Sequence, residues 1–241
     1  MELNYKYKNN GKETVLFLHG WGVDSDSFSF LSQKLSTDYD ILLVDFRGHG
    51  KSKPLKYVYT VYDYAEEIFK LLKYLKLNNI TIVAHSFGVR VAILLSTIFD
   101  LKIKNIVVMG GAGIKPRFNI FTKICIYKYK LKKVLNQKFN CHFKLNNLGS
   151  EDYINLDPIT RQSFVKIVNF DEKKYIKLIT CPVLLLWGKN DKSTPLYMAK
   201  KFKKYIQNSR LIIFKKCGHF CFNNYPLLIY YEIIKFLDST M

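Results

Sequence analysis

Acidic side chains are scarce in these 241 residues: 19 Asp and Glu stand against 38 Lys and Arg, a formal net charge of +19. Such an excess invites nucleic acid or anionic lipid as a partner. Arginine is scarcer still, since only Arg47, Arg90, Arg117, Arg161 and Arg210 are not lysine among those cations. Base readout favours the guanidinium fork, so no specific nucleic-acid binding is expected, and a chain rich in Lys, Asn, Ile and Tyr fits an AT-rich coding sequence. No apolar run reaches the ~18 residues that a membrane-spanning helix needs. The opening ten residues lack the apolar stretch of a secretory signal, so a cytoplasmic location is expected. Cysteine is sparse and odd in number. Cys125, Cys141, Cys181, Cys217 and Cys221 form no Cys-x-x-Cys pair and read as reduced thiols rather than a disulfide framework. What is present is ample apolar material, 49% of residues against 24% charged, which excludes disorder as the overall state. The length suits one large α/β domain.

Short β-branched runs alternate with longer amphipathic segments. Residues 14–18, 41–44, 80–84, 103–109, 183–187 and 210–214 read as buried strands, and 59–77, 89–99, 196–206 and 226–237 as helices. That alternation predicts a mostly parallel central sheet with right-handed crossovers and helices on both faces. Residues 114–180 break the rhythm. Between Lys115 and Lys144 there are nine basic residues and no acidic one, interleaved with Phe118, Ile120, Phe121, Ile124, Ile126 and Tyr127. Three readings stand open: a helical lid inserted over the sheet's C-terminal edge, a surface helix pair with a solvated basic face, and a helix lying on anionic membrane. The first divides the chain into a core, 1–113 and 181–241, and a lid, 114–180; the last allows weak association with anionic membranes.

The chemistry-bearing motifs fall at strand ends. Ala84-His85-Ser86-Phe87-Gly88 sits where a strand meets a helix, with small residues two before and two after Ser86, as the sharp turn of a nucleophile elbow demands. An ordinary helix-capping serine would also fit these five residues alone. His19-Gly20-Trp21-Gly22 follows the strand at 14–18, where a loop can donate an oxyanion N–H. Tetrahedral intermediates of acyl transfer need two such donors, which nominates the backbone N–H groups of Trp21 and Phe87. Trp21 is also expected to line the acyl pocket, and His19 to hold its loop. Asp191 ends the strand at 183–187, and His219 follows the strand at 210–214. Serine needs a base to become a nucleophile, and the imidazole needs a carboxylate to fix its tautomer, so Ser86, His219 and Asp191 are the catalytic candidates.

On these motifs the sequence resembles the α/β-hydrolase superfamily over nearly the whole chain, from about residue 14 to 237. Asp45-Phe46-Arg47-Gly48-His49-Gly50-Lys51-Ser52 is similar to that family's structural turn after the second strand, and Gly110–Pro116 to its lid entry. Ala84 in the elbow and Val89 after Gly88 depart from the family pattern without touching the three candidates. The resemblance implies a carboxylesterase-like serine hydrolase cleaving an ester, thioester or related acyl bond of a small molecule, with no cofactor and no metal. Carbon–carbon bond hydrolases and a menaquinone-pathway eliminating lyase resemble the chain too. Arg90 matches an Arg often found in the lyase, although an ion pair beneath the elbow would explain it as well. Arg90, Lys115 and Arg117 are therefore candidate contacts for a carboxylated substrate. A non-catalytic membrane-surface module is the remaining alternative. Gly50-Lys51-Ser52 is not a phosphate loop, because Asp45 stands where that pattern needs Gly. Cys217, His219 and Cys221 lack the second cluster of a metal site.

Overall fold

The computed structural model describes residues 2–116 and 156–240, together with 127, 128, 132 and 136. Seven strands, β1 (Tyr5–Lys8), β2 (Thr14–Leu18), β3 (Asp40–Val44), β4 (Ile80–His85), β5 (Ile103–Met109), β6 (Val183–Gly188) and β7 (Ser209–Phe214), lie in the order β1-β3-β2-β4-β5-β6-β7. β2 through β7 run parallel, and β1 pairs antiparallel with β3. β2, β4 and β6 are buried along their whole length, as strands covered on both faces must be. β1 is the strand that the sequence pattern did not single out. Its Tyr5-Lys6-Tyr7-Lys8 alternates half-buried tyrosine with exposed lysine at the sheet edge, so it carries no continuous apolar run.

Alternate side chains of each strand feed two cores. Leu16, Leu18, Ile82 and Leu185 pack with α2 (Val61–Tyr74), α3 (Phe87–Leu95) and α6 (Leu196–Tyr205) on one face. Val15, Phe17, Val83 and Leu184 pack with α1 (Ser29–Leu35), α7 (Cys221–Asn224) and α8 (Pro226–Asp238) on the other. Helix ends obey local chemistry that periodicity does not show. Thr60 and Asp63 close a capping box that starts α2 two residues later than expected, and Lys76 at φ 55° lies just beyond its end. α3 starts two residues earlier than expected because it springs directly from Ser86.

Within the segment expected to be a lid, the described part holds α4 (Pro158–Asn169) and α5 (Lys173–Ile176). Asp157 caps α4 by accepting from the N–H groups of Ile159 and Thr160. Arg117, most of the basic run, Cys125 and Cys141 lie outside the described residues. Among the described helices none is long and apolar enough to cross a membrane.

Candidate active site

β4 delivers Ser86 into a backbone conformation of φ 49° and ψ −109°, a region that costs a non-glycine residue about 1–3 kcal/mol and persists only when its surroundings fix it. Here they do. The Ser86 N–H donates to Met109 O at 3.0 Å, and the Ala112 N–H donates to Ser86 O at 3.1 Å. Any side chain at position 88 would collide with the carbonyl oxygens of Leu18 and His19, so Gly88 lets α3 close directly onto the end of β2. Phe87 is the first residue of α3, where a helix presents N–H groups without intrahelical partners.

Asp191 and His219, the candidate carboxylate and base, stand in the loops that follow β6 and β7. His219 Nδ1 bonds Asp191 Oδ2 at 2.8 Å, and the Asp191 side chain is completely buried. Asp191 is further held by Thr194, whose N–H donates to Oδ1 at 2.8 Å and whose hydroxyl lies 2.8 Å from Oδ2 and 3.0 Å from Gly110 O. Burial alone would push the Asp191 carboxyl up, but the His219 and Thr194 hydrogen bonds outweigh it and hold the group below its usual range. Gly110 runs beneath this pair at φ 52°, where a Cβ would stand 3.1 Å from both Asp191 Oδ2 and His219 Nδ1. The sequence marks Gly110 only as the start of the segment similar to a lid entry, and nothing in it marks Thr194.

His19 anchors the loop carrying Trp21. Its Nε2 accepts from the Phe46 N–H at 3.0 Å, which leaves Nδ1 to donate to Gly20 O at 2.7 Å. Burial lowers its pKa to about 4, so it is neutral near pH 7 and structural in placement. The Asp45 turn is a scaffold too: Asp45 Oδ1 accepts from Ser25 N, Oδ2 from Lys51 N and Asn4 Nδ2, and Arg47 pairs with Glu2 and Glu67. His85, inside the elbow, carries no signal in the sequence that sets it apart from its neighbours. It is wholly buried, its ring lies 4.6 Å from that of His219, and its Nε2 is 3.2 Å from His219 O. Burial lowers its pKa to about 3, which leaves it a neutral brace between the elbow and the loop carrying His219.

Ser86 and His219 both line one cavity of about 350 Å³. Trp21, Phe87, Ile114, Phe164, Met198 and Phe220 supply much of its apolar wall. Trp21 packs edge-on to Phe87 at 5.4 Å and against Phe164 of α4 at 5.2 Å, which joins the sheet's edge to the helix above it. Of the proposed substrate cations, Arg90 reaches the wall, but its Nη1 donates to Glu172 Oε2 and to Phe170 O, both at 2.8 Å. Lys115 is exposed and outside the lining, which its neighbours Ile114 and Pro116 form.

A sequence model of the alpha/beta hydrolase fold matches residues 13–123 and 127–223. The chain is similar to the uncharacterized hydrolase YugF of Bacillus subtilis (strain 168), 24% identical over 251 residues that cover 96% of this chain and 92% of that one. It is also similar to 2-hydroxy-6-oxononadienedioate/2-hydroxy-6-oxononatrienedioate hydrolase 1 of Pseudomonas putida, 24% identical over 91% of this chain and 86% of that protein. Among solved structures, an esterase from Exiguobacterium antarcticum superposes with a TM-score of 0.77 at 21% identity, covering 98% of this chain and 95% of the other. With the family pattern matched along most of its length, the chain belongs to the alpha/beta hydrolase fold family and is a hydrolase of that fold.

Proposed function

We propose that the protein is a serine hydrolase that cleaves an ester, thioester or related acyl bond through an acyl-enzyme on Ser86. The observation that carries this reading is the hydrogen-bonded Asp191–His219 pair, with the imidazole on the wall of the cavity that Ser86 also lines. Because Nδ1 is committed to Asp191, Nε2 is the ring nitrogen left to take the Ser86 proton as the hydroxyl oxygen attacks the acyl carbon. The N–H groups of Trp21 and Phe87 hold the developing oxyanion. His219 then returns the proton to the leaving group, and in the second half it deprotonates a water that attacks the acyl carbon and frees Ser86. Residues 114–180 act as the cap over this chamber; α4 supports that assignment by placing Phe164, Ile167 and Val168 in the cavity wall. A second reading, carbon–carbon bond hydrolysis of a carboxylated substrate, draws on the Pseudomonas relative and uses the same three side chains.

The test is labelling with a fluorophosphonate probe, wild type beside Ser86→Ala. Labelling of the wild type alone is expected. An unlabelled, folded wild type would overturn an activated Ser86.

A further inference from the structure

Resting on the serine-hydrolase reading, we infer that the cavity selects neutral apolar acyl groups and rejects acidic ones, and that Glu172 is the residue responsible. Arg90 is the only cationic side chain among the described lining residues. A guanidinium there is the natural partner for a substrate carboxylate, because the planar fork pairs with two oxygens at once. Its charge is already compensated. Glu172 stands 2.8 Å from Nη1, its side chain has no exposed surface, and that of Arg90 is only 5% exposed. The same nitrogen also donates to Phe170 O.

The pair is fixed from outside the cavity as well. The Glu172 N–H donates to Gly113 O at 2.8 Å, so the segment carrying the carboxylate is tied to the chain leaving β5. An acidic substrate entering this wall would meet a carboxylate already seated on the one cationic side chain of the described lining, and one of the two would be left without a counter-charge in a largely apolar cavity. A neutral alkyl group meets Trp21, Phe164, Ile167 and Met198 instead. Glu172 therefore works as a charge mask: it touches the cation that an acidic substrate would need, and leaves the reacting atoms alone.

Two methyl esters with six-carbon acyl groups isolate the effect, methyl hexanoate and monomethyl adipate, which differ at the far end of the chain by CH₃ against CO₂⁻. Proton release at pH 8.5 gives kcat/KM for each, and thermal shift of Ser86→Ala protein with the same two esters gives binding without turnover. Wild type is expected to favour hexanoate by about 100-fold or more. Glu172→Gln keeps the side chain's shape and removes its charge, and is expected to raise the adipate-to-hexanoate ratio at least about tenfold, with hexanoate turnover little changed. The apolar double variant Arg90→Met, Glu172→Met, which removes mask and cation together, is expected to keep the preference for hexanoate.

Equal use of the two esters by wild type would overturn the inference. So would an unchanged ratio in folded Glu172→Gln, or adipate use that depends on Arg90 in the wild type. Should Ser86 prove unreactive to the fluorophosphonate, the catalytic reading fails by itself, and the binding arm still decides whether the cavity discriminates by charge. Should Glu172→Gln not fold, the double variant and the wild-type ratio decide.

Discussion

Asp191 and Glu172 are two carboxylates with equally buried side chains, each bonded to a cationic or cation-capable partner at 2.8 Å, yet their acidities move in opposite directions. Both Asp191 oxygens lie within hydrogen-bond distance of donors: Thr194 N at Oδ1, and Thr194 Oγ1 and His219 Nδ1 at Oδ2. Its pKa falls below the usual range despite burial. Glu172 Oε2 is paired with Arg90, but Oε1 is buried with no hydrogen-bond partner among the described residues. Burial pushes this carboxyl well above its usual value, against the pull of Arg90. Burial favours the protonated carboxyl and the Arg90 charge the ionised one. Burial pushes both carboxyls up; at Asp191 the His219 and Thr194 donors outweigh it, and at Glu172 the single partner Arg90 does not. The Asp191 carboxylate is held by three donors, whereas that of Glu172 is held by one.

The largest effect expected from breaking this contrast is on Asp191. Asp191→Asn keeps the size of the side chain but presents an amide to His219 Nδ1, which favours the wrong imidazole tautomer, and kcat/KM for a neutral ester should fall by about 10⁴-fold with the fold intact. Glu172→Gln, an equally small change at an equally buried carboxylate, should leave that turnover within about tenfold of wild type. Steady-state kinetics of the two variants side by side, with far-UV circular dichroism as the folding control, settles it. A similar loss in both would show that Glu172 belongs to the catalytic machinery.

The same contrast explains how much of the site could be read from the sequence. Ser86, Asp191 and His219 were legible because each requirement is local: small flanking residues at a strand-to-helix turn, a carboxylate ending one strand, a histidine after the next. Their convergence then follows from parallel strand order. The mask was not legible. Arg90 suggested either a substrate contact or an ion pair, and only the three-dimensional path of the chain brings Glu172 to it from 82 positions away. Thr194 and His85 escaped for a related reason, since a hydroxyl or imidazole that braces another side chain leaves no periodic trace. β1 escaped because a four-residue edge strand with lysine at alternate positions looks like solvated surface.

Next in size is the stability of the mask. Arg90→Met leaves Glu172 buried without its cation and should lower the free energy of unfolding by about 3–5 kcal/mol, because the desolvated charge loses its compensation. Adding Glu172→Met should recover most of that loss, since two apolar side chains of similar volume can fill the space that the ion pair occupied. Urea unfolding of the single and double variants measures both. A double variant as unstable as the single one would show that the pair contributes through packing of Arg90 against α3's neighbours rather than through charge compensation.

The smallest effect, a slope of at most about 1.4 kcal/mol per pH unit for each group, is the most direct check on the donor argument. The Asp191 pKa is lowered from an ordinary 3.8, so its contribution is fully present above about pH 4 and is lost as the pH falls through the lower folded value. The stability gap between wild type and Asp191→Asn should therefore be flat from pH 5 to 8. The Glu172 pKa is raised from 4.5, so its contribution is fully present below that value and is lost as the pH rises through the higher folded one. The gap between wild type and Glu172→Gln should accordingly shrink as the pH climbs from 5 to 8. Parallel gaps would mean that the unpartnered Oε1 leaves no mark on the energetics, and that the two carboxylates differ in chemistry for some reason other than their donors.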